Sequence, residues 1–299
     1  MRKTLLAATL ATAAFAVPNL AAAQAAAAPA AAPAPTHVFT GNVGLFSEYR
    51  FRGIAQTFGK PALQGGFDYS HAPTGIYLGN WNSNVSSGAG FPGANLEMDF
   101  YGGWKKSWDD WGLDLGVIYY YYPGSNASAT NPGVAPFSPT NVTVGRTGTV
   151  VHSGSVDNTE LYIGGSWKFI SAKYSHAISD YFAVPGTKNS SYFDLSANYD
   201  LGNGWGIQGH VGWLNFKNQQ NGDYVDWKIG VTKDINGWIL GAAYIDTDAK
   251  GNCGTWAANP NNPQPYCFSN GHLGTGTFGY DKTKDAGKST VVLSISKSF

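Results

Sequence analysis

The sequence predicts an all-β fold, a transmembrane antiparallel up-and-down β-barrel of the outer-membrane type with about 12 strands. Apolar and polar residues alternate with period two in many short segments, as in strands that have one apolar face. The connections between these segments alternate between short and long. Gly accounts for 39 of the 299 residues and aromatic residues for 14%, whereas only 13% are charged. Together these features are typical of a secreted β-protein or an outer-membrane barrel.

The composition also excludes several classes of protein. Lys and Arg number 19 and Asp and Glu number 19, and the chain has no basic run, so we expect no nucleic-acid partner. The aromatic content is too high for a disordered chain. Beyond the first two dozen residues, no apolar run approaches the roughly 20 residues that a membrane helix needs.

The amino terminus predicts export from the cytoplasm. Residues 1–23 have a charged start, an apolar stretch and a small-residue cleavage site, as a signal peptide does; the alternative is a retained Ala-rich anchor. Residues 24–36 are an Ala/Pro-rich linker. The barrel is therefore expected over 37–299, in the cell outer membrane and reached through the periplasm.

Period-two alternation defines each strand in turn. In the first, Leu45 and Phe51 share an apolar face and Arg50 and Arg52 share the opposite one. The predicted strands are 38–51, 61–70, 75–83, 95–104, 111–122, 157–167, 170–178, 191–200, 204–213, 223–233, 237–246 and 289–299. The longest connections are 123–156 and 247–288, which we expect to be outer loops, with short turns on the periplasmic side. A soluble sandwich does not need long loops at one end only.

Tryptophans cluster beside the short turns, which predicts an aromatic girdle at one bilayer interface. Its members are Trp104, Trp108, Trp111, Trp167, Trp205 and Trp238. The other interface is predicted to hold Tyr49, Trp81, Tyr119, Tyr121 and Trp213. The alternative is that these aromatic residues form a soluble core.

Charged residues fall on the polar face of the strands, and we expect them to line the lumen. This pore-lining set is Glu48, Arg50, Arg52, Asp68, Glu97, Asp99, Asp114, Glu160, Asp194, Asp226 and Lys228, with Lys173 beside it. Eight of these charges are acidic and four are basic, which favours a mildly cation-preferring passage. The alternative is a filled interior in which the charges pair with one another. Twelve strands give a narrow lumen that allows either.

Two cysteines and the last residue carry separate predictions. Cys253 and Cys267 are 14 positions apart in a Gly/Asn/Pro-rich stretch, and a disulfide is expected in an oxidising periplasm. A metal site would need more ligands than these two and the distant His272 provide. We therefore expect no cofactor and no metal. Phe299 is the expected carboxyl-terminal barrel signal, read by the barrel-assembly machinery.

Enzymatic and calcium sites are weakly supported. His152 and Ser153, with Asp157 or Asn158, are the best candidates for a nucleophile site, but no Gly-x-Ser-x-Gly elbow surrounds them. Three loop carboxylates, Asp246, Asp248 and Asp281, lack the spacing of a calcium loop. We therefore predict that the protein is not an enzyme.

One stretch of the sequence resembles a known family. Residues 41–56 read GNVGLFSEYRFRGIAQ, and PALQGGFDYS follows at 61–70. With Gly75–Gly79 and Leu96–Gly103, these segments resemble the TorF family of putative porins. The resemblance is specific over 41–104 and looser beyond. It implies an outer-membrane barrel and a presumed channel, with no substrate or catalytic residue to transfer.

The sequence as a whole therefore predicts a porin-like channel for passive diffusion of small hydrophilic solutes or ions. The alternative is a non-conducting barrel with a structural role, or one that binds a partner through its outer loops. The oligomeric state is left open.

Overall fold

Twelve antiparallel strands close into a single barrel in the computed structural model, which describes residues 35–91, 93–125, 155–254, 262–269 and 283–299. The barrel strands are β1 (His37–Phe46), β4 (Ala62–His71), β5 (Ile76–Asn84), β6 (Leu96–Trp108), β7 (Trp111–Tyr121), β8 (Asp157–Trp167), β9 (Ile170–Ala177), β10 (Ser191–Gly202), β11 (Trp205–Asn215), β12 (Tyr224–Ile235), β13 (Trp238–Thr247) and β16 (Thr290–Ser298). The barrel closes where β1 pairs with β16. Within the described ranges, no helix is both long and apolar enough to cross a membrane.

Two short ribbons complete the strand set. The first is formed by β2 (Arg50–Phe51) and β3 (Ile54–Ala55), and the second by β14 (Cys267–Ser269) and β15 (Thr283–Asp285). Short 3₁₀ turns cover Ser87–Ala89 and Tyr181–Ala183. Both ribbons and both turns belong to the connections at the same end of the barrel.

The predicted fold class is confirmed, and eleven of the twelve strands begin and end within four residues of their predicted limits. The exception is the first strand, which was predicted to run to residue 51 and ends at Phe46. Its alternation continues past Phe46, but the chain leaves the barrel wall there. The predicted signal peptide and nearly all of the predicted linker lie outside the described residues.

The two ends of the barrel differ in their connections. At the turn end, the strands are joined by short turns at 72–75, 109–110, 168–169, 203–204 and 236–237. At the loop end, the connections are longer, as the sequence predicts. The carboxyl terminus lies at the turn end, where the backbone N–H of Phe299 donates to the Gly41 carbonyl oxygen (2.9 Å).

The outer wall of the barrel is apolar. Ile229 and Leu293 are 62% and 58% exposed, and neighbouring outward positions carry similar side chains. At the turn end, five of the six predicted girdle tryptophans are exposed and Trp104 is half-buried. Lysine ammonium groups lie 4.8–5.1 Å from the ring centroids of Trp167, Trp205 and Trp238. Such an apolar band with Trp and Lys at its edge is what a bilayer interface selects.

The hydrophobic core lies inside the barrel, at the loop end. It is built mainly from connections that fold inward, with Tyr49, Phe91, Phe182 and Tyr266 among its buried residues. Residues 47–61, which join β1 to β4, enter furthest, and every residue from 48 to 57 is buried. We call residues 47–61 the plug.

The interior toward the turn end is more open. Inward-facing Asp68, Ser196, Gln208 and Thr232 are only half-buried, whereas Glu97, Asp99 and Glu160 near the loop end are buried. Water therefore reaches the interior from the turn side, up to the plug. We call this turn-side space the vestibule.

Candidate functional site

The plug is held in the lumen by Arg52. Its guanidinium donates to both carboxylate oxygens of Glu160 on β8 (2.9 and 2.7 Å) and to the Tyr181 hydroxyl (2.8 Å). The same group lies 4.2 Å from the centroid of the Tyr192 ring. The Tyr224 hydroxyl donates to the Arg52 carbonyl oxygen (2.8 Å). A bidentate pair of this kind fixes both position and orientation.

Arg50 anchors the plug to the opposite side of the barrel. Its Nε donates to Glu48 Oε2 (2.9 Å), and its Nη1 donates to the carbonyl oxygens of Gly53, Ala286 and Lys288 (2.9–3.0 Å). Ala286 and Lys288 belong to the connection between β13 and β16. The plug therefore joins β8 on one wall to the last loop on the other.

The turn that joins β2 to β3 needs a glycine. Arg52 and Gly53 both have positive φ, at 48° and 78°. A Cβ on Gly53 would meet Thr247 Cγ2 and would lie 2.7 Å from Asp226 Cβ. The plug thus packs directly against β12 and the end of β13.

A second polar cluster lies on the wall beside the plug. His210 Nδ1 is 2.7 Å from Asp194 Oδ2, and its Nε2 is 2.8 Å from Asp226 Oδ2. The Tyr192 hydroxyl donates to Asp226 Oδ1 (2.8 Å). One imidazole therefore bridges two carboxylates from β10 and β12, which keeps both inside the barrel.

Tyrosine–aspartate pairs occupy the interior closer to the turn end. The Tyr77 hydroxyl donates to Asp114 Oδ1 (2.6 Å) and is hydrogen-bonded to the Tyr162 hydroxyl. The Tyr101 hydroxyl donates to Asp68 Oδ1 (2.7 Å). These contacts fill the β4–β8 side and leave the β11–β16 side of the interior wider.

Two carboxylates on β6 complete the inward charges. The buried Tyr49 hydroxyl of the plug donates to Glu97 Oε1 (2.9 Å). Asp99 is 0% exposed, and neither of its carboxylate oxygens accepts a hydrogen bond from the described residues. The plug thus contacts carboxylates on two separate strands of the wall, β6 and β8.

The predicted pore-lining residues all lie inside the barrel, in two groups. Glu97, Asp99, Asp114, Glu160 and Asp226 are buried on the strands, whereas Asp68, Asp194 and Lys228 are half-buried there. The remaining three, Glu48, Arg50 and Arg52, are buried in the plug and not on a strand, because the wall ends at Phe46. That these residues line a conducting path stays a prediction.

The second predicted girdle differs from the structure at two positions. Tyr119 and Trp213 are exposed on the outer wall, but Tyr49 is 1% and Trp81 is 3% exposed. Their rings pack edge-on inside the barrel, with centroids 5.4 Å apart. Tyr49 follows the plug inward, and Trp81 lies on the inward face of β5, so both belong to the core.

Sequence reasoning missed most of the tyrosines that hold the plug. Tyr181, Tyr192 and Tyr224 all contact Arg52. On β10 and β12, Tyr192 and Tyr224 occupy the same face as Asp194 and Asp226. Large aromatic residues on the polar face of a strand are the signal that the lumen is packed rather than empty.

The remaining candidates are placed as follows. Cys253 and Cys267 form a disulfide with a Cα–Cα distance of 5.1 Å. The proposed nucleophile pair, His152 and Ser153, lies outside the described residues, as does Asp281. Asn158 donates to Glu160 Oε1 (3.1 Å), so it belongs to the site around Arg52. In the described part of the chain, no three or more His, Cys, Asp or Glu side chains are arranged so that they could hold a metal ion.

Solved structures with similar folds are mostly outer-membrane proteins. A structure of the NanC porin matches with 8% identity and a TM-score of 0.42, covering 88% of this chain and 99% of that one. Outer-membrane expressed OmpT of Vibrio cholerae matches with 9% identity and a TM-score of 0.39, covering 88% and 97%. A Pseudomonas aeruginosa FadL homologue matches with 11% identity and a TM-score of 0.38, covering 88% and 90%. Likeness at this level carries no functional information.

The family is shown by the sequence itself. No curated protein matches the chain. Residues 30–299 match the family described as "Bacterial protein of unknown function (Gcw_chp)". The resemblance to the TorF family of putative porins stays a prediction. Because the match covers well over half of its 299 residues, the chain belongs to the bacterial Gcw_chp family.

Proposed function

We propose that this protein is a non-enzymatic, porin-like passage for small hydrophilic solutes or ions in the outer membrane, and that the plug closes it in the conformation described. One observation carries the proposal. The closed barrel has an apolar outer wall and an interior lined with charged and polar side chains. A bilayer accepts such a wall only when every strand is paired. A polar interior provides hydrogen-bonding partners for a polar solute.

The contacts of the plug explain how the passage is closed. Arg52 and Arg50 connect the plug to opposite sides of the barrel, and the apolar core packs around them. Opening therefore requires the plug to leave its seat, while the strands stay in place. The vestibule on the turn side remains accessible to water throughout.

The charge of the wall favours cations once the plug has moved. Glu48, Arg50 and Arg52 would leave with the plug. Of the twelve lumen charges that the sequence predicts, seven carboxylates and two lysines remain on the strands: Asp68, Glu97, Asp99, Asp114, Glu160, Asp194 and Asp226 against Lys173 and Lys228. A lumen with this excess of carboxylates attracts cations and repels anions.

A second candidate is favoured by the burial of the plug itself. A lumen sealed by ten successive buried residues, 48–57, suits a non-conducting barrel that acts through its outer loops. The two candidates differ in whether displacing the plug produces a current.

The test is single-channel recording in a planar bilayer with a KCl gradient. The refolded chain without residues 1–23 is compared with a variant in which Arg52→Met releases the plug. We expect rare steps from the first, frequent steps from the second, and a cation-selective reversal potential in both. Anion selectivity would contradict the acidic wall. If neither protein carries current although both are folded, heat-modifiable barrels, the proposed passage is contradicted and the second candidate is favoured.

A further inference from the structure

We infer that the blind end of the vestibule, directly beneath the plug, is a binding site for a small neutral polyol of up to monosaccharide size. The inference rests on the proposed passage and names the class of solute that it would admit.

The site is a cavity between the plug and the wider side of the wall. The plug contributes Glu48, Tyr49 and Arg50, and the strands contribute Gln64, Gln208 and His210, among others. Its empty volume is about 620 Å³, part of which is open to the vestibule. Small residues on β13, such as Gly241 and Ala243, leave this space.

Charged groups that line the cavity are already engaged with the protein. Arg50 donates hydrogen bonds to Glu48 and to three carbonyl oxygens. Both nitrogens of His210 face carboxylates, those of Asp194 and Asp226. Lys228 interacts electrostatically with the same two carboxylates. Glu48 is paired with Arg50 through Oε2, and Lys284 Nζ lies 3.0 Å from its Oε1.

Each charged group around the cavity therefore already has a partner within the protein. The carboxylates of Glu48, Asp194 and Asp226 lie beside Arg50, Lys228, Lys284 and the imidazole of His210. An ionic ligand would have to displace one of these pairs, and breaking a buried pair is costly. A neutral ligand avoids that cost.

The open hydrogen-bonding position belongs to an uncharged amide. Gln64 is 3% exposed, and its Oε1 accepts no hydrogen bond from the described residues. Its Nε2 donates to Ser83 Oγ (3.3 Å), and that hydroxyl in turn donates to the Asn84 carbonyl oxygen (3.0 Å). This chain of bonds fixes the orientation of the amide, so the atom left without a partner is the acceptor oxygen of a side chain that lines the cavity. A buried acceptor without a donor is destabilising, and a ligand hydroxyl would satisfy it.

Aromatic and amide side chains provide the rest of the recognition. Phe46 and Tyr49 line the cavity together with the half-buried amide of Gln208. Sites for small molecules commonly combine such apolar faces with a few placed polar groups. A polyol has both parts, since its C–H faces pack on rings and its hydroxyls bond to amides.

The test uses three compounds that share one scaffold and differ in charge: glucose, the anion gluconate and the cation glucosamine. Binding to the refolded barrel is measured by saturation-transfer NMR in a detergent without a sugar headgroup. No current is needed, so the outcome is independent of the conductance test of the proposed function. We expect the strongest transfer to glucose.

Variants locate the binding. Gln64→Leu removes the open acceptor without changing charge, and Ala243→Leu fills the cavity from the wall. Each is expected to weaken glucose binding at least tenfold while the barrel stays folded and heat-modifiable. Gln220→Leu, at an exposed position in the loop after β11, is the matched control and should bind as the unmodified chain does. Equal or stronger transfer to gluconate or glucosamine, no transfer to glucose, or unchanged binding in both cavity variants would overturn the inference.

Discussion

Replacing Arg52 by Met should unseat the plug without opening the barrel wall. The side chains of Arg52 and Glu160 are 4% and 1% exposed, and two hydrogen bonds of 2.9 and 2.7 Å join them. Met keeps an unbranched chain as long as the Arg stem up to Nε, but it leaves the Glu160 carboxylate buried without its cation. Removing one partner of a buried ion pair costs about 3–5 kcal/mol.

The size of this effect sets the expected current. The cost falls on the seated conformation alone, since an unseated plug exposes both groups to water. Each 1.4 kcal/mol changes an equilibrium tenfold, so the ratio of unseated to seated plug should rise by roughly two to three and a half orders of magnitude. Planar-bilayer recording should show this as a large rise in open probability at unchanged step size. Adding Glu160→Gln to the variant should restore much of the closed state, because the uncompensated charge is then gone.

A matched control comes from an exposed ion pair at the turn end. Lys168 Nζ lies 3.7 Å from Asp110 Oδ2, and the two side chains are 49% and 36% exposed. Exposed pairs contribute about 0–1 kcal/mol, so Lys168→Met should leave open probability unchanged. If the Arg52 and Lys168 variants behave alike, the Arg52–Glu160 pair does not hold the plug.

Three further predictions concern other parts of the chain. Gly53→Ala should raise open probability, because the added Cβ would collide with β12 and β13. Gly202→Ala is the control: it introduces the same left-handed strain, but no atom lies within 4 Å of the added Cβ. The control should therefore lower stability by about 1–2 kcal/mol and leave the current unchanged. Replacing Cys253 and Cys267 by Ser should leave the barrel folded but lower its unfolding temperature, since closing a loop of about 15 residues contributes roughly 3 kcal/mol; an unchanged melting curve would contradict this. A variant with Trp205 as its sole tryptophan should be quenched more by lipids that carry a quencher near the headgroup than by lipids quenched at mid-chain, and the reverse order would contradict an interfacial girdle.

Most of the barrel wall could be predicted from the sequence, because alternate residues of a strand face the outer surface, which is apolar, and the lumen, which is polar. Ile229 and Lys228 are adjacent, yet one is 62% exposed and the other faces the lumen. Period two identifies such strands even without knowledge of their partners. The even strand number and the short turns then follow from the spacing.

The plug could not be predicted in this way. Alternation continues from Leu45 through Ser47 and Tyr49 to Phe51, so the pattern of a strand extends beyond the point where the wall ends. Tyr49 and Phe51 avoid water by packing in the core, which the pattern cannot distinguish from contact with lipid. The informative sign is Gly53, which follows three charged residues within five positions and marks a turn.

The position of the plug in the chain has a consequence for assembly. It follows the first strand, but its anchors are distant in sequence: the Arg50–Ala286 bond spans 236 residues and the Arg52–Glu160 bond spans 108. Contacts of such long range form late in folding. A nascent barrel that lacks its final hairpin lacks the carbonyl oxygens that hold Arg50, so we expect the plug to seat completely only once β16 has paired with β1. A fully seated plug therefore indicates that the last strand is in place. Protection of the plug from protease would distinguish finished barrels from incomplete ones.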